Sequence, residues 1–312
     1  MFVLLRIAVS LDWFLLLYCL LSMLVETVWR PLKPLHVAQQ SVATILFGLR
    51  ILPLAASLII TFALVVPSFQ LMEPPPFKES MSAVPLALGV CALLLIACGF
   101  VRAIAAQTRT TRVVTCWLEG ARPLRVNGNS AVTLQSRRES PPLIVVGFHR
   151  PRVLVSESTV TLLTPDELRM ALKHELEHMK SRDNLKRLIF AFCPFPGMAK
   201  LESAWSRAAE LAADDAAVSN QGDALDLAAA LVKLSRLVPV KAPPVFSTSF
   251  VAGSISERVA CLLDWNEASK SRRVRIRTWF VIPFAVAVSL LVTVAHRPVL
   301  TLTHEATEWL VR

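Results

Sequence analysis

The chain has 312 residues, of which 54% are hydrophobic and only 18% charged, and it carries a net charge of +10. Soluble domains average about 45–50% apolar and about 25% charged residues, so disorder, collagen, coiled coil and a compact soluble enzyme are excluded. A mean hydropathy of +0.54 points to a membrane protein with at least one soluble part, and the length allows about two domains.

The first apolar segment ends near Val25, and Arg6 and Asp12 blur its start. Met23-Leu-Val-Glu26 at its end has no small-residue cleavage site, so it reads as a retained span and not as a signal peptide. The second runs from about Ala43 to Val66, the third from about Val84 to Ala105, and the fourth from about Thr278 to Ala295. Each approaches the roughly 20 apolar residues that a bilayer crossing needs.

Loop charges set an orientation. Arg30 and Lys33 lie in the first loop. Glu73 and Glu79 outweigh Lys78 in the second. Arg102, Arg109, Arg112, Arg122 and Arg125 follow the third span, and Lys270, Arg272, Arg273, Arg275 and Arg277 precede the fourth. The positive-inside rule then places loop one and residues 106–277 in the cytosol, with both termini outside. The expected organisation is three helices over 1–105, a cytosolic domain over 106–277, and a fourth helix with a short tail over 278–312. Basic residues that hug membrane ends suit the headgroups of the lipid bilayer, so no direct nucleic-acid binding is expected. Arg50 sits inside the second span. Two readings stay open for it: snorkelling to the cytosolic end, or a functional charge with Glu26 as partner.

The six cysteines, Cys19, Cys91, Cys98, Cys116, Cys193 and Cys261, form no CxxC pair, which implies neither a disulfide framework nor a cysteine metal site. In the soluble part, Leu143–Val146 and Val153–Val155 read as short strands broken at Gly147. Thr164, Pro165 and Glu167 then signal a helix start: an N-cap, a proline in the first turn and a capping-box acid.

That helix holds His174-Glu175-Leu176-Glu177-His178. Residues four apart stack on one helix face, so both imidazoles can reach one metal ion. Glu175 projects beside them, where it can take a proton from water at the metal; the pattern is that of zinc proteases. A second helix over about 202–218 carries Glu210 and Asp214, again four apart. Glu210 can complete a two-His-one-Glu set. Asp214 can accept from the far nitrogen of a ligand histidine and fix its tautomer. Zinc, one ion per chain, suits this set better than iron or copper.

Several stretches together resemble the BlaR/MecR-type membrane metallopeptidases, metallopeptidase family 56. They are Gly147-Phe-His-Arg-Pro-Arg-Val-Leu-Val155, Thr164-Pro-Asp-Glu-Leu168, His174-Glu-Leu-Glu-His-Met-Lys-Ser-Arg-Asp183 and Glu210-Leu-Ala-Ala-Asp214. Leu49-Arg-Ile-Leu-Pro53 and Ile255-Ser-Glu-Arg-Val259 also resemble family segments. The resemblance implies a mainly α, four-span helical membrane protein with a cytosolic α+β gluzincin zinc-protease domain between spans three and four. It implies zinc on His174, His178 and Glu210, Glu175 as the catalytic base, and Asp214 behind a ligand. Asp183 also fits the pattern, with a structural role as good a reading as a functional one, and Arg258 receives no role. Tyr18, the only tyrosine, lies in the first span. His149 and Arg150 are therefore the candidate oxyanion donors.

The implied activity is a zinc-dependent metalloendopeptidase in signal transduction, cleaving a protein or peptide substrate such as a winged-helix repressor (an antirepressor role) or the chain itself. Two departures stand out. The link between the metal helices reads Phe192-Cys-Pro-Phe-Pro-Gly197 where the family often has a Trp-Phe-Asn-Pro-like element. There is no Ser-x-x-Lys motif, so antibiotic sensing is not carried over and a separate sensor partner is expected. Alternatives are an HtpX-like membrane-protein quality-control protease and a non-enzymatic transmembrane signalling protein.

Overall fold

The computed structural model describes residues 2–29, 38–68, 83–124, 133–136, 140–147, 149, 151–195, 197–237, 248–249, 255–267, 301 and 305. The fourth apolar segment, the basic cluster before it, the first two loops and Arg150 lie outside the described residues.

The chain is mainly helical with a small sheet. Among the described residues, three helices are long and apolar enough to cross a membrane. α1 is Phe2–Trp29 and α2 is Gln39–Ile60, which continues through a π-helical turn, Thr61–Val65. α3 is Ala83–Leu118. At 36 residues α3 is about 54 Å long, well beyond a hydrocarbon core of about 30 Å. Its last turns carry Arg109 and Arg112 and reach the sheet.

The strands are β1 (Arg122–Pro123), β2 (Thr133–Ser136), β3 (Leu143–Val146), β4 (Arg152–Ser156) and β5 (Thr248–Ser249). Their order is β1-β2-β4-β3-β5, with β2 and β4 parallel and the other pairs antiparallel. Every residue of β3 is buried because both faces of the sheet are covered. Leu143, Val145, Val153 and Val155 face the core of the soluble part. Ile144, Val146 and Leu154 pack against Val114, Trp117 and Leu118 of α3.

The remaining helices are α4 (Glu157–Leu162), α5 (Pro165–Ser181), α6 (Asp183–Phe192), α7 (Ala199–Ala217), α8 (Gln221–Ser235) and α9 (Ile255–Leu263). α5 starts as its sequence dictates. Thr164 Oγ1 accepts from the Glu167 amide at 3.3 Å, and Glu167 returns a carboxylate to the Thr164 amide at 2.9 Å. Lys233 of α8 donates to both Glu167 oxygens at 2.7 Å, which ties the two helices together.

The link between α6 and α7 threads among the spans. Tyr18 Oη donates to the Pro194 carbonyl at 3.2 Å. Phe192 meets Phe100 of α3 edge-on, with ring centroids 4.6 Å apart. A Cβ at Gly99 would collide with the Phe192 carbonyl oxygen, so glycine is what allows α3 this close. Arg50 does not snorkel outward, and the acid it bonds is Glu202. Arg50 is buried and donates through Nε and Nη2 to Glu202 of α7 at 2.9 and 2.8 Å.

Candidate metal centre

His174 and His178 lie one turn apart on the buried face of α5, and Glu210 reaches them from α7. The two Nε2 atoms are 3.1 Å apart. Glu210 Oε2 lies 3.5 Å from one and 3.6 Å from the other. A tetrahedral ion with ligand bonds near 2.0–2.1 Å needs ligand atoms about 3.3 Å apart, so these three atoms form the face of such a site. All three side chains are buried. Ala208, Ala209, Ala212 and Ala213 of α7 are all buried, so the helix carries little side-chain bulk around Glu210.

Each histidine is held from behind. His174 Nδ1 is 2.8 Å from Asp214 Oδ1, the contact expected from the Glu210/Asp214 spacing. His178 Nδ1 is 2.7 Å from Asp183 Oδ2. In a continuous helix, residue i+5 points about 140° away from residue i. Arg182 breaks α5 with φ 55°, the only positive φ at a non-glycine among the described residues. That left-handed step restarts the chain as α6 and swings Asp183 back under His178. Asn184 anchors the restart, donating to the Val145 and Gly147 carbonyls at 3.1 and 3.0 Å.

Arg258 of α9 closes the site. Its Nε and Nη2 donate to the two Asp214 oxygens, each at 2.7 Å. Its Nη1 is 3.1 Å from Glu210 Oε2. The resemblance of Ile255–Val259 to a family segment singled out this stretch but gave Arg258 no role, since it stands 44 residues beyond Asp214 on a separate helix. His149 is exposed in the turn after β3 and has no hydrogen bond or ion pair to the three-residue cluster. Arg150 is outside the described residues.

The atoms without partners show what the site suits. Both Glu210 oxygens are buried with no hydrogen bond, despite the nearby guanidinium. Buried carboxylates are normally bonded, and two imidazole nitrogens facing each other at 3.1 Å would have to share a proton. A metal ion satisfies all of these atoms at once. Burial opposes a proton on His178, but Glu210 and the bond to Asp183 outweigh it and carry the pKa up to about 10. A bound cation would replace that proton. Burial also opposes charge on Glu210, yet His178 and Arg258 hold its carboxyl well below the usual range.

Glu175 differs from the other acids. It is fully buried, both its oxygens lack hydrogen bonds, and burial pushes its pKa up to about 7 against the pull of His178 and His174.

A family model, BlaR1 peptidase M56, matches residues 81–262, more than half of the chain. The chain belongs to this family. The matched M56 segment runs from the start of α3 into α9 and includes the His174, His178 and Glu210 cluster together with Arg258. Family membership and the three apolar helices make it a membrane-associated peptidase, acting on proteins or peptides. No curated protein matches the chain.

Proposed function

We propose that the chain is an integral-membrane zinc metalloendopeptidase of the gluzincin type, with its peptidase part over 106–277 in the cytosol. The observation that carries this reading is the convergence of His174, His178 and Glu210 on one point, with the unpartnered Glu175 carboxylate on the same helix. Zinc is the ion favoured by two imidazoles and one carboxylate with a position left for substrate. When bound, zinc supplies Lewis-acid polarisation of the scissile carbonyl and lowers the pKa of water. Glu175, with a pKa near neutrality, accepts a proton from the attacking water and returns it to the leaving amine nitrogen. Asp183 and Asp214 hold the two histidines in the tautomer that leaves each Nε2 free for the ion.

The proposed role is signal-regulated proteolysis of a transcriptional repressor, of winged-helix type, or of the chain itself. A separate sensor protein would supply the signal. A fourth span over 278–295 would return the chain outward. The basic residues on the far end of α3 support the cytosolic placement.

The test is metal analysis and peptide hydrolysis on detergent-purified protein. The parent should hold about one zinc per chain, Glu210→Ala should lose it, and Glu175→Gln should keep it while hydrolysis falls about 10²–10⁴-fold. Undiminished cleavage by Glu175→Gln would overturn the proposal.

A further inference from the structure

α7 belongs to two neighbourhoods. Glu210 and Asp214 face the metal cluster. Leu201, Trp205, Ala208 and Ala209 pack into a cluster with Val25 of α1 and with Val42, Ala43 and Leu46 of α2. The helix enters that cluster at Glu202, which Arg50 of α2 grips through two nitrogens. From Glu202 to Glu210 is about 12 Å of rigid helix.

The same guanidinium also holds the end of α6. Arg50 Nη2 donates to the Cys193 carbonyl at 2.5 Å and lies 3.5 Å from the Phe190 carbonyl. Its carbon sits 5.6 Å from the centre of the Phe190 ring. The other end of α6 carries Asp183, which holds His178. One buried cation on a membrane span therefore ties together the near ends of two helices. Asp183, at the other end of α6, holds His178, and Glu210, about two turns further along α7, faces the same cluster. A planar fork holds a carboxylate and a carbonyl in one fixed geometry, whereas an ammonium is a compact point charge with rotatable donors.

We propose that Arg50 is a positioning residue for the metal centre, fixing α2 to the α6–α7 corner and so setting how far Glu210 stands from the two histidines. This rests on the metallopeptidase reading above. Arg50 touches neither substrate nor metal; it acts through Glu202 and the carbonyls that end α6.

The test uses the full chain in detergent with Co²⁺ as the probe, since its visible spectrum reports ligand geometry as well as occupancy. Arg50→Gln is expected to raise the Co²⁺ dissociation constant about tenfold or more and to shift the visible bands, as loss of outer support does at metal sites. Peptide hydrolysis should show kcat reduced with KM within about twofold of the parent, because the reacting geometry and not substrate affinity is disturbed. Arg50→Lys, which keeps the charge but not the fixed planar fork, should restore part of each. Parent-like affinity, spectrum and kcat in Arg50→Gln would overturn the proposal. Should that variant not fold, Glu202→Gln carries the test. It leaves Arg50 and its carbonyl contacts in place and alters a side chain that is 38% exposed. Smaller shifts of the same kind are expected, and a parent-like spectrum and affinity would overturn the proposal equally. Absence of Co²⁺ binding in the parent would instead remove the metal reading itself.

Discussion

Arg258→Met tests the charge balance of the metal centre. Arg258 is 2% exposed and lies between Asp214 and Glu210, both also buried. Methionine keeps most of the volume and removes the cation, so both carboxylates lose the counter-charge that holds them ionised. Removing one partner of a buried ion pair costs about 3–5 kcal/mol. For a domain of this size each kcal/mol moves the melting midpoint about 2–4 °C, giving a fall of about 6–20 °C in the metal-free protein. A bound divalent cation sits against Glu210 and replaces part of the lost charge. The difference between variant and parent should therefore narrow when zinc is added. Arg258→Lys should fall between the two, since it restores charge without the two-nitrogen grip on Asp214. Melting curves by tryptophan fluorescence, with and without zinc, read all of this. A midpoint within about 2 °C of the parent in chelator would refute the reasoning, being below the shift expected for even 1.5 kcal/mol. A difference unchanged by zinc would refute the role given to Glu210.

Three further outcomes follow from other contacts. Asp183→Asn and Asp214→Asn should each weaken zinc about 10–100-fold in a chelator competition, through lost orientation of His178 and His174 respectively. Asn at both positions with parent-like affinity would deny the carboxylates that role. The bonds from Lys233 and Thr164 outweigh burial and lower the Glu167 pKa, so the contact stabilises the fold above the ordinary carboxyl range and is lost as pH falls through the lowered value. Lys233→Met should therefore flatten the loss of stability on the acid side of about pH 4.5, read as the midpoint of thermal unfolding against pH. A reporter joined after Ser140 should behave as cytosolic and one joined after Arg312 as extracytosolic; the reverse for either would overturn the loop-charge orientation.

Features written within one or two helical turns were legible in the sequence. The Thr164–Glu167 capping box needs only four residues, and it forms as expected. His174, His178, Glu210 and Asp214 could be grouped because residues four apart share a face, which survives any packing of the two helices. The two buried strands showed themselves as unbroken apolar runs. Contacts made by distant residues had no such signal. Arg258 reaches the site across 44 residues, and Arg50 finds Glu202 across 152; proximity in the chain pointed to Glu26 instead. Asp183 was singled out by the resemblance, but its role was hidden for another reason. Its place beneath His178 depends on the left-handed turn at Arg182, a residue with no marked preference for that conformation.

The shared walls of α7 bear on how this peptidase could be handled in isolation. The helix that offers Glu210 on one side rests on α1 and α2 with the other, where Met198, Leu201 and Trp205 are almost completely enclosed. A fragment cut free of the three spans would present to water the part of that face that α1 and α2 cover, although Phe190 of α6 would still shield one side of Trp205. It would also strand Glu202 and the carbonyls at the end of α6 without their cation. Such a fragment is expected to self-associate or lose its ion, whereas the same residues reassembled with α1 and α2 supplied in trans should regain both solubility and metal.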